Sequence, residues 1–523
     1  MPTLPLYVEY PDMQSNTVPK VGECDSFNME SIKADDIKPL SSLSSSASTL
    51  SSLYSSHSLS SSFSDQIPDT LKKIRSGEFK IAVYGLGHVG ASIASVWLRA
   101  GAHVIGMDKS QKVLENAKRG KTHVPEPGVN EAFTKGLQER RFDLYDDLVE
   151  GSNDSYFKMI CVPVLADNGR PADLAAVKEV STAISKGLKK SDVVALNPSV
   201  PPGTTEDIVL PLIEKESRGL KVERDFYLVY NPERIYEGRA IEDIEDRYPA
   251  VVSGAGPKSL EIGTKLYSIV FKKGIIPVSN IRTAETEKLF EGVYRDVNIA
   301  LANELAKFCE KVGVNFWEAM EAANSQPFCH IHKPGVGVGG ACIPVYPKFI
   351  IDTANRFKVD CNITRLGRTI NDSMPTYCVQ QAIKLLNKRG SKKGARNSVI
   401  TLLGLAFRGG VSDTRLSPTY KVIEELQKLK VREIRVHDPL VKNDYSLSDE
   451  ENVILTSNLS DALKDTNLIM LVADHPEYRM LTYEDTKGSP IYDGRGLLDK
   501  SKFDYADLAI IGVAKEEKTT DTQ

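Results

Sequence analysis

The sequence lacks the patterns that would place the protein in a membrane or outside the cell. None of its apolar runs reaches the roughly 20 residues that a membrane-spanning helix needs, and its N-terminus lacks the basic-then-apolar order of a signal peptide. Its seven cysteines are odd in number and show no CxxC or metal-ligand spacing. We therefore expect reduced thiols in a cytoplasmic protein, with neither a disulfide framework nor a zinc site.

The sequence also lacks a strong charge of either sign. Its 66 basic and 70 acidic residues give a net charge of -4, and no basic run is long enough to favour nucleic acid as a partner. A chain of 523 residues, 41% of them hydrophobic, has room for two to four domains with their own cores. We expect a protein that acts on a small molecule and binds neither nucleic acid nor a membrane.

Apolar residues are scarce near the N-terminus. Serine dominates residues 41–64, and such a segment cannot bury enough surface to offset the entropy that it would lose on ordering. We therefore predict a disordered tail over residues 1–75, a folded part from residue 78, and a frayed C-terminal tail over residues 514–523.

A glycine-rich turn follows the first predicted strand. Residues 79–84 have the pattern of a strand, a GxGxxG sequence comes next, and a helical pattern follows it. In this context the first glycine permits the tight turn, the second lets a pyrophosphate approach the backbone, and the third packs the helix against the strand. The residues predicted to hold a dinucleotide here are Gly85, Gly87, His88, Val89 and Gly90.

A carboxylate ends the second predicted strand, residues 103–108. Asp108 stands about 20 residues after the glycines, where an acidic side chain can bind both hydroxyls of an adenosine ribose. The same charge disfavours the 2′-phosphate of NADP, so we predict NAD as the cofactor. The alternative is a glycine turn in an α/β protein that binds no nucleotide.

Strands alternate with helices along the predicted folded part, a pattern typical of parallel, doubly wound sheets. We predict an α/β protein with a Rossmann domain over residues 78–275. A segment with few helix breakers, 283–312, predicts one long helix within a central dimerisation domain over 276–390. After a polar, basic linker, a second Rossmann-like α/β domain is predicted over residues 391–513.

A single cysteine lies in a glycine-rich stretch, residues 333–347. Four glycines precede Cys342 there, and a backbone without side chains lets a ligand come close while the thiol stands clear of its neighbours. The alternative is a flexible loop with a buried cysteine. The nucleotide fingerprint favours a redox role for Cys342.

Six separated motifs resemble, in their order, those of the UDP-glucose/GDP-mannose dehydrogenase family over residues 78–513. They are the glycine fingerprint, residues 200–204, residues 231–234, Glu285-x-x-Lys288, the Cys342 loop, and residues 413–418 with 492–495. Residues 295–304 and 337–344 look most like the branch that oxidises UDP-N-acetylhexosamines, UDP-N-acetylmannosamine in particular. A one-step 3-hydroxyacid dehydrogenase of similar layout would need neither the cysteine nor the second α/β unit.

The resemblance implies a four-electron oxidation of the C6 hydroxyl of a UDP-sugar to a carboxylate, with two NAD. UDP-N-acetylmannosamine is the first expected substrate, followed by UDP-N-acetylglucosamine or UDP-glucose. The Cys342 thiolate would form a thiohemiacetal and then a thioester. Lys288 would stabilise the alkoxide, and Glu233 would activate or orient water.

The resemblance also implies binding residues and an assembly. By matched position, the residues near the cofactor include Ser199 and Arg415. The residues near the substrate are Asn298, Lys333, Gly339, Phe407, Arg408 and Arg495. A homodimer or a higher homo-oligomer is expected.

Departures from the family pattern raise an alternative function. Gly292 stands where the family usually has an asparagine, four residues after the lysine, and Tyr346 where it usually has an aspartate, four residues after the cysteine. Ala341 replaces a residue that is often histidine. Loss of an oxyanion donor typically costs on the order of 10² to 10³ in rate. The alternative is therefore a catalytically weak or inactive NAD- and UDP-sugar-binding homologue with a regulatory or interaction role.

Overall fold

The computed structural model describes residues 67–124, 126–165, 172–388, 394–448, 450–504 and 507–514. Residues 1–66 of the predicted disordered tail and residues 515–523 of the frayed tail lie outside these ranges. For residues 67–75 the prediction of disorder is wrong, because Ile67–Ser76 form a helix (α1). The helix is anchored by Ile74, which is buried in the core of the first domain.

An eight-stranded sheet organises the first half of the described chain. Its strands are β1 Lys80–Tyr84, β2 His103–Met107, β3 Phe142–Tyr145, β4 Phe157–Ile160, β5 Val193–Leu196, β6 Tyr227–Tyr230, β7 Ala250–Gly254 and β8 Ile275–Pro277. Their order is 3-2-1-4-5-6-7-8, and all neighbours are parallel except β6 and β7. Every residue of β4 and β5 is buried, which is typical of a parallel sheet covered on both faces.

Short helices connect these strands. They are α2 His88–Arg99, α3 Gln111–Lys118, α4 Val129–Gln138, α5 Leu148–Asp154, α6 Ala175–Gly187, α7 Leu210–Glu216, α8 Ala240–Glu242 and α9 Pro257–Tyr267. Two cores result, one on each face of the sheet, and the α2 side includes Trp97 packed edge-on against Phe157.

Four helices form the centre of the chain: α10 Ile281–Val312, α11 Phe316–Asn324, α12 Tyr346–Phe357 and α13 Asn362–Lys388. The α10 helix has 32 residues, about 48 Å at 1.5 Å per residue. Asn280 caps its first turn, and Gly313 ends it with a left-handed φ of 82°.

A buried polar network joins α10 to α13. Asp296 of α10 accepts hydrogen bonds from Arg368 and Asn371 of α13, and Asn371 in turn accepts one from Asn303 at 2.9 Å. The Asn303 side chain also accepts a hydrogen bond from the backbone amide of Gly335 at 2.9 Å. The packing of the two long helices therefore fixes the start of the glycine-rich cysteine loop.

A second, six-stranded sheet follows. Its strands are β9 Val399–Leu403, β10 Glu433–His437, β11 Val453–Thr456, β12 Leu468–Leu471, β13 Ile491–Asp493 and β14 Leu508–Ile510. All are parallel, in the order 11-10-9-12-13-14, accompanied by helices α14 Pro418–Lys428, α15 Leu459–Leu463 and α16 Tyr483–Thr486. This confirms the predicted α/β class with two Rossmann-like sheets and a long central helix.

Each sheet reverses its strand order once near its middle, between β1 and β4 in the first and between β9 and β12 in the second. In doubly wound sheets, ligands bind beyond the carboxyl ends of the strands at such a point. The residues after β1 and β9 are therefore the first places to look for a site. None of the helices in the described ranges combines the length and apolar character required to cross a bilayer.

Candidate active site between the two sheets

The glycine turn after β1 is open on one side. Gly85 has a φ of +93°, and its amide donates to the Met107 carbonyl at 2.7 Å. A β-carbon at Gly90 would lie 1.8 Å from the Gly85 oxygen, so only glycine fits where α2 meets the turn. A β-carbon at Gly87 would meet nothing within 4 Å. Gly87 therefore leaves a cradle open at the N-terminus of α2, which fits a pyrophosphate.

Asp108 lies beside this turn, directly after β2. One oxygen of its carboxylate accepts a hydrogen bond from the Leu86 amide at 2.8 Å, and the other accepts one from the Ser110 amide at 2.9 Å. A carboxylate has about four acceptor positions, so both oxygens keep capacity for the hydroxyls of a ribose. The turn and Asp108 thus fit the predicted dinucleotide.

The other two residues of the turn face different sides. Val89 packs against the core of the first domain. His88 begins α2, and its Nδ1 is 3.7 Å from a carboxylate oxygen of Glu237. Burial lowers the pKa of His88, and the nearby Arg415 guanidinium lowers it further. The glycine turn therefore faces Arg415, a residue of the second α/β unit.

Cys342 is exposed and lies just before α12. Its carbonyl accepts hydrogen bonds from the amides of Val345 and Tyr346, both at 3.0 Å, which turn the chain into the helix. The Tyr346 hydroxyl accepts a hydrogen bond from the Ser199 hydroxyl at 2.9 Å, and Cys342 is close enough to Tyr346 for the two to interact electrostatically. Arg415 is close enough to Cys342 for the two to interact electrostatically.

Lys288 on α10 is buried, unlike most lysines on helices. Its ammonium is 3.5 Å from one carboxylate oxygen of Glu291 and 5.9 Å from the centre of the Tyr346 ring. The other oxygen of Glu291 accepts two hydrogen bonds from Arg234, at 2.8 and 2.6 Å. Glu291 therefore holds Lys288 in place while sharing its negative charge with a second cation.

Glu233 lies near the same ammonium. Burial raises its pKa to about 8, and Lys288 opposes this by favouring the carboxylate. One of its oxygens accepts a hydrogen bond from the Ile235 amide. Glu233 also interacts electrostatically with Tyr346. Cys342, Lys288 and Glu233, predicted from three distant motifs, therefore all lie within electrostatic reach of one tyrosine.

The two departures from the family pattern touch each other. A β-carbon at Gly292 would lie 2.4 Å from Cδ2 and 2.9 Å from Cβ of Tyr346. No side chain fits at residue 292 while the Tyr346 ring is there, because real β-carbons essentially never come within 3.0 Å of another heavy atom. The two departures are therefore linked by packing, because the Tyr346 ring takes the space that a side chain at residue 292 would need.

The glycine-rich loop packs against the second α/β unit. A β-carbon at Gly339 would lie 2.7 Å from both the Phe407 β-carbon and the Leu416 carbonyl oxygen. The amide of Gly340, whose φ is +90°, donates to the Arg415 carbonyl at 2.9 Å. These close contacts explain why the approach to Cys342 is rich in glycine.

Two arginines of the second α/β unit line this region. Arg408 donates to the carbonyl of Glu237 at 3.1 Å, and its guanidinium lies 4.2 Å from the centre of the Tyr236 ring. Arg495 donates to the Asp474 carboxylate at 3.2 Å and lies against Gly335. Arg408 therefore links the second unit to the loop that carries Glu233.

Asn298 and Lys333 lie at the edge of this arrangement. The Asn298 side chain donates to the His330 carbonyl at 2.9 Å and accepts from the His332 amide at 3.0 Å. It therefore positions the segment that precedes Lys333, whose own side chain is exposed. The structure does not bring these two residues into contact with Cys342.

Sequence reasoning missed two carboxylates that hold the site together. Glu291 binds both Lys288 and Arg234, and its spacing of three residues from Lys288 is a signal for a helical ion pair. Glu285 was noted only as part of a motif. It accepts hydrogen bonds from the amides of Gly203 and Thr205, at 2.5 and 2.8 Å, and burial raises its pKa to about 7.

Three domains of one family match the chain in sequence. They are the NAD binding domain of the UDP-glucose/GDP-mannose dehydrogenase family over residues 79–271, its central domain over 282–373 and its UDP binding domain over 401–500. The chain belongs to this family. This confirms the family suggested by the six sequence motifs, and it confirms the predicted NAD cofactor.

Known members of the family are similar along most of their length. The UDP-N-acetyl-D-mannosamine dehydrogenase of Pyrococcus horikoshii is 32% identical over 423 residues, which cover 80% of this chain and 96% of that protein. Its solved structure aligns with a TM-score of 0.76, over 84% of this chain and 100% of that chain. The UDP-glucose dehydrogenase of Pyrobaculum islandicum aligns with a TM-score of 0.74 at 25% identity, over 82% and 98%.

Within this family the present protein is an NAD-dependent UDP-sugar dehydrogenase. The glycine turn, with Gly87 open and Asp108 beside it, lies in the matched NAD binding domain. Phe407, Arg408 and Arg495 lie in the matched UDP binding domain. Cys342 lies in the matched central domain, which connects these two.

Proposed function

We propose that the protein oxidises the C6 hydroxyl of a UDP-N-acetylhexosamine to the carboxylate, with UDP-N-acetylmannosamine as its first substrate. The observation that carries this proposal is that Cys342, Lys288 and Glu233 all lie within electrostatic reach of Tyr346. The names of the relatives from Pyrococcus horikoshii and Campylobacter jejuni, both UDP-N-acetyl-D-mannosamine dehydrogenases, support the choice of sugar. The resemblance to a UDP-glucose dehydrogenase adds UDP-glucose to the substrates to be tested.

Lys288 serves the first oxidation, from alcohol to aldehyde. The C6 carbon gives up a hydride while the hydroxyl proton passes to water, so negative charge develops on the oxygen. A buried ammonium stabilises this charge more strongly than one in water would. NAD, when bound, accepts the hydride of this step, and a second NAD accepts that of the next.

Cys342 serves the second oxidation. An aldehyde gives up its hydride readily only after a nucleophile has added to its carbon. The thiolate forms a carbon–sulfur bond, and the resulting oxyanion expels the hydride, which leaves a thioester on Cys342. Water then attacks this thioester, the carbon–sulfur bond breaks, and the carboxylate leaves as the thiol is restored.

Glu233 serves the hydrolysis. Burial raises its pKa to about 8, near neutrality, and a base is most effective when its pKa lies near the pH of the reaction. In its ionised form it takes a proton from the attacking water. The nearby Lys288 ammonium favours that ionised form.

The remaining site residues bind and orient. Gly85, Gly87, His88, Val89, Gly90 and Asp108 hold NAD in this proposal, with Arg415 at the glycine turn. Phe407, Arg408 and Arg495 hold the UDP part of the substrate, with Gly339 providing close approach. Asn298 and Lys333 act from the neighbouring segment, and Ser199 acts through Tyr346.

A second copy of the chain is proposed to cover α10. Its exposed apolar side chains Phe290, Tyr294, Leu301, Phe308 and Val312 fall within about 40° of arc at 100° per residue. A continuous apolar stripe of this kind is typical of an interface between identical subunits. The cysteines described in the structure are free thiols, which supports a cytoplasmic setting for this proposal.

The experiment that tests the proposed function follows NADH absorbance with a panel of UDP-sugars. UDP-N-acetylmannosamine, UDP-N-acetylglucosamine and UDP-glucose are each supplied with NAD, and binding of each sugar is followed separately by thermal shift. We expect NADH formation with UDP-N-acetylmannosamine above the other two. Binding without NADH formation from any of them would replace this proposal with a catalytically inactive UDP-sugar-binding role.

A further inference from the structure

Glu285 is a buried carboxylate on α10, three residues before Lys288, and it is 0% exposed. One of its oxygens accepts a hydrogen bond from the Gly203 amide at 2.5 Å. The other accepts two hydrogen bonds from Thr205, one from the amide at 2.8 Å and one from the hydroxyl at 2.6 Å. Three donors of the loop after β5, residues 197–205, therefore converge on one carboxylate of α10. We call this set of three hydrogen bonds the Glu285 contact.

The Glu285 contact meets the start of a helical segment. Residues 205–209 form a π-helix that continues directly into α7, and the first amides of such a segment have no acceptor within it. A carboxylate is a favourable acceptor for them, because the dipole of a helix favours negative charge at its N-terminus and hydrogen bonds to an ionised group are the stronger ones. The loop after β5 is therefore attached to α10 at one defined place.

The same loop contacts α12 through Ser199, whose hydroxyl donates to the Tyr346 hydroxyl at 2.9 Å. The Tyr346 ring in turn lies against α10, because a β-carbon at Gly292 would lie 2.4 Å from Cδ2 of that ring. The loop after β5, α12 and α10 therefore contact one another in pairs, and the Glu285 contact joins the loop to α10. Lys288 lies on α10, 5.9 Å from the centre of the Tyr346 ring.

We propose that Glu285 is a positioning residue that holds the loop after β5 against α10 and so fixes the spacing between Ser199 and Lys288. The inference rests on the proposed function, in which Lys288 stabilises the alkoxide and NAD accepts the hydride, and on the place near the cofactor that the family resemblance implies for Ser199. Hydride transfer is sensitive to this spacing, because a misplacement of about 1 Å can lower a rate about 10²-fold. A loosened loop would therefore slow the breaking of the C6–H bond more than the binding of either ligand.

Glu285→Gln tests the Glu285 contact, because glutamine keeps the length and shape of the side chain but has one acceptor oxygen instead of two. The new NH2 group would face either the Gly203 amide or the Thr205 amide. One buried backbone donor therefore loses its acceptor whichever way the glutamine turns. Every residue assigned to the chemistry stays unchanged.

Glu223→Gln is the matched control. Glu223 accepts hydrogen bonds from the amides of Lys258 and Ser259, at 2.9 and 2.8 Å, and from the Ser259 hydroxyl. It thus makes the same set of bonds, two from backbone amides and one from a hydroxyl, at the start of α9. None of these residues is assigned to the site, so the control shows what loss of such a contact does elsewhere in the chain.

The first measurement follows backbone hydrogen exchange by mass spectrometry in the full chain, without NAD or sugar. We expect the amides of Gly203 and Thr205 to exchange about tenfold faster in Glu285→Gln than in the unmodified protein, because a lost hydrogen bond lets them open more often. The amides of residues 258–259 should exchange at an unchanged rate. In Glu223→Gln the pattern should be reversed.

The second measurement follows steady-state NADH formation with UDP-N-acetylmannosamine, or with whichever UDP-sugar the unmodified protein oxidises, carrying hydrogen or deuterium at C6. We expect Glu285→Gln to lower kcat by about 10-fold to 10²-fold with little change in KM. The ratio of the hydrogen rate to the deuterium rate should rise, because breaking of the C6–H bond then limits turnover. Partial unfolding alone would lower kcat and leave that ratio unchanged.

Glu223→Gln should leave kcat and the isotope ratio as they are in the unmodified protein. Unchanged exchange of the Gly203 and Thr205 amides in Glu285→Gln would overturn the inference, and so would faster exchange with an unchanged isotope ratio. Faster exchange, together with no NADH from any UDP-sugar even in the unmodified protein, would uphold Glu285 as the residue that holds the loop after β5 against α10 and reject the proposed function instead.

Discussion

At the scale of single residues, Glu233 shows how burial tunes a carboxyl group for neutral chemistry. Burial raises its pKa to about 8, while Lys288 limits the shift. The pKa of Glu233 in the folded protein lies above its ordinary value, so the protonated form dominates below pH 8. Protonated Glu233 cannot accept a proton from water. Its ionised fraction falls about tenfold for each pH unit below the pKa. A role as base therefore predicts a pH-dependent rate.

We predict that Glu233→Gln lowers turnover by about 10² to 10⁴ above pH 8, the usual contribution of a positioned base. The ratio of the unmodified rate to the Glu233→Gln rate should rise about tenfold per unit up to about pH 8 and then level off. Both rates are measured as steady-state NADH formation with saturating substrates. Taking their ratio removes the effect of any ionisation that both proteins share.

Glu242→Gln is the control for this ratio, because Glu242 is an exposed carboxylate paired with Arg247 in the same domain. The ratio of the unmodified rate to the Glu242→Gln rate should not change with pH. A flat ratio for Glu233→Gln as well would mean that Glu233 is not the base, and the water would then have to be activated by another group.

The contacts of Tyr346 also show which residue-scale features the sequence could not predict. This side chain contacts positions 199 and 292 and lies near Lys288, and only the folded chain brings these residues together. The sequence does show that Gly292 and Tyr346 are unusual for the family. The Tyr346 ring fills the space beside Gly292 because α12 packs against α10. The spacing of residues in the sequence does not predict that packing.

At the scale of elements, patterns of hydrophobic residues and glycines predicted most strands and the long helix. The helix predicted over residues 283–312 is observed as Ile281–Val312, because few breakers interrupt it and Asn280 and Gly313 mark its ends. The sequence pattern says less about α13, which runs over Asn362–Lys388 with Pro375 inside. Proline usually breaks a helix interior, and here tertiary packing overrides that preference.

The exposed face of α10 leads to a prediction about assembly. Phe308, 58% exposed, belongs to the apolar stripe proposed to contact a second copy. Phe308→Glu would place a charge in that interface, where desolvating it without a partner costs several kcal/mol. We expect light scattering coupled to size exclusion to give the mass of a dimer or larger oligomer for the unmodified protein and of a monomer for Phe308→Glu.

A matched substitution on another surface controls for charge alone. Tyr445 is 96% exposed and belongs to the second α/β unit, so Tyr445→Glu should leave the mass unchanged. An unmodified protein that is monomeric, or an oligomer that persists in Phe308→Glu, would show that α10 is not the interface.

At the scale of the whole molecule, the chain joins two Rossmann-like sheets through a helical centre that carries the cysteine. The glycine turn lies at the switch point of the first sheet, and the loop after β9 lies at that of the second. The second unit meets the cysteine loop where the Gly340 amide donates to the Arg415 carbonyl, and it meets the first domain where Arg408 donates to the Glu237 carbonyl. The sequence predicted both sheets and the motifs at their edges, but not these contacts, because they join segments far apart in the chain.

The central claim is that one site performs two successive oxidations and that only the second needs the thiol of Cys342. The measurement that tests it most directly is the number of NADH formed per UDP-N-acetylmannosamine consumed, with the product identified by mass spectrometry. The unmodified protein should form two NADH and the UDP-sugar acid, because each oxidation releases one hydride. Cys342→Ala should form at most one NADH, slowly, and no acid. Undiminished acid formation by Cys342→Ala would contradict the account.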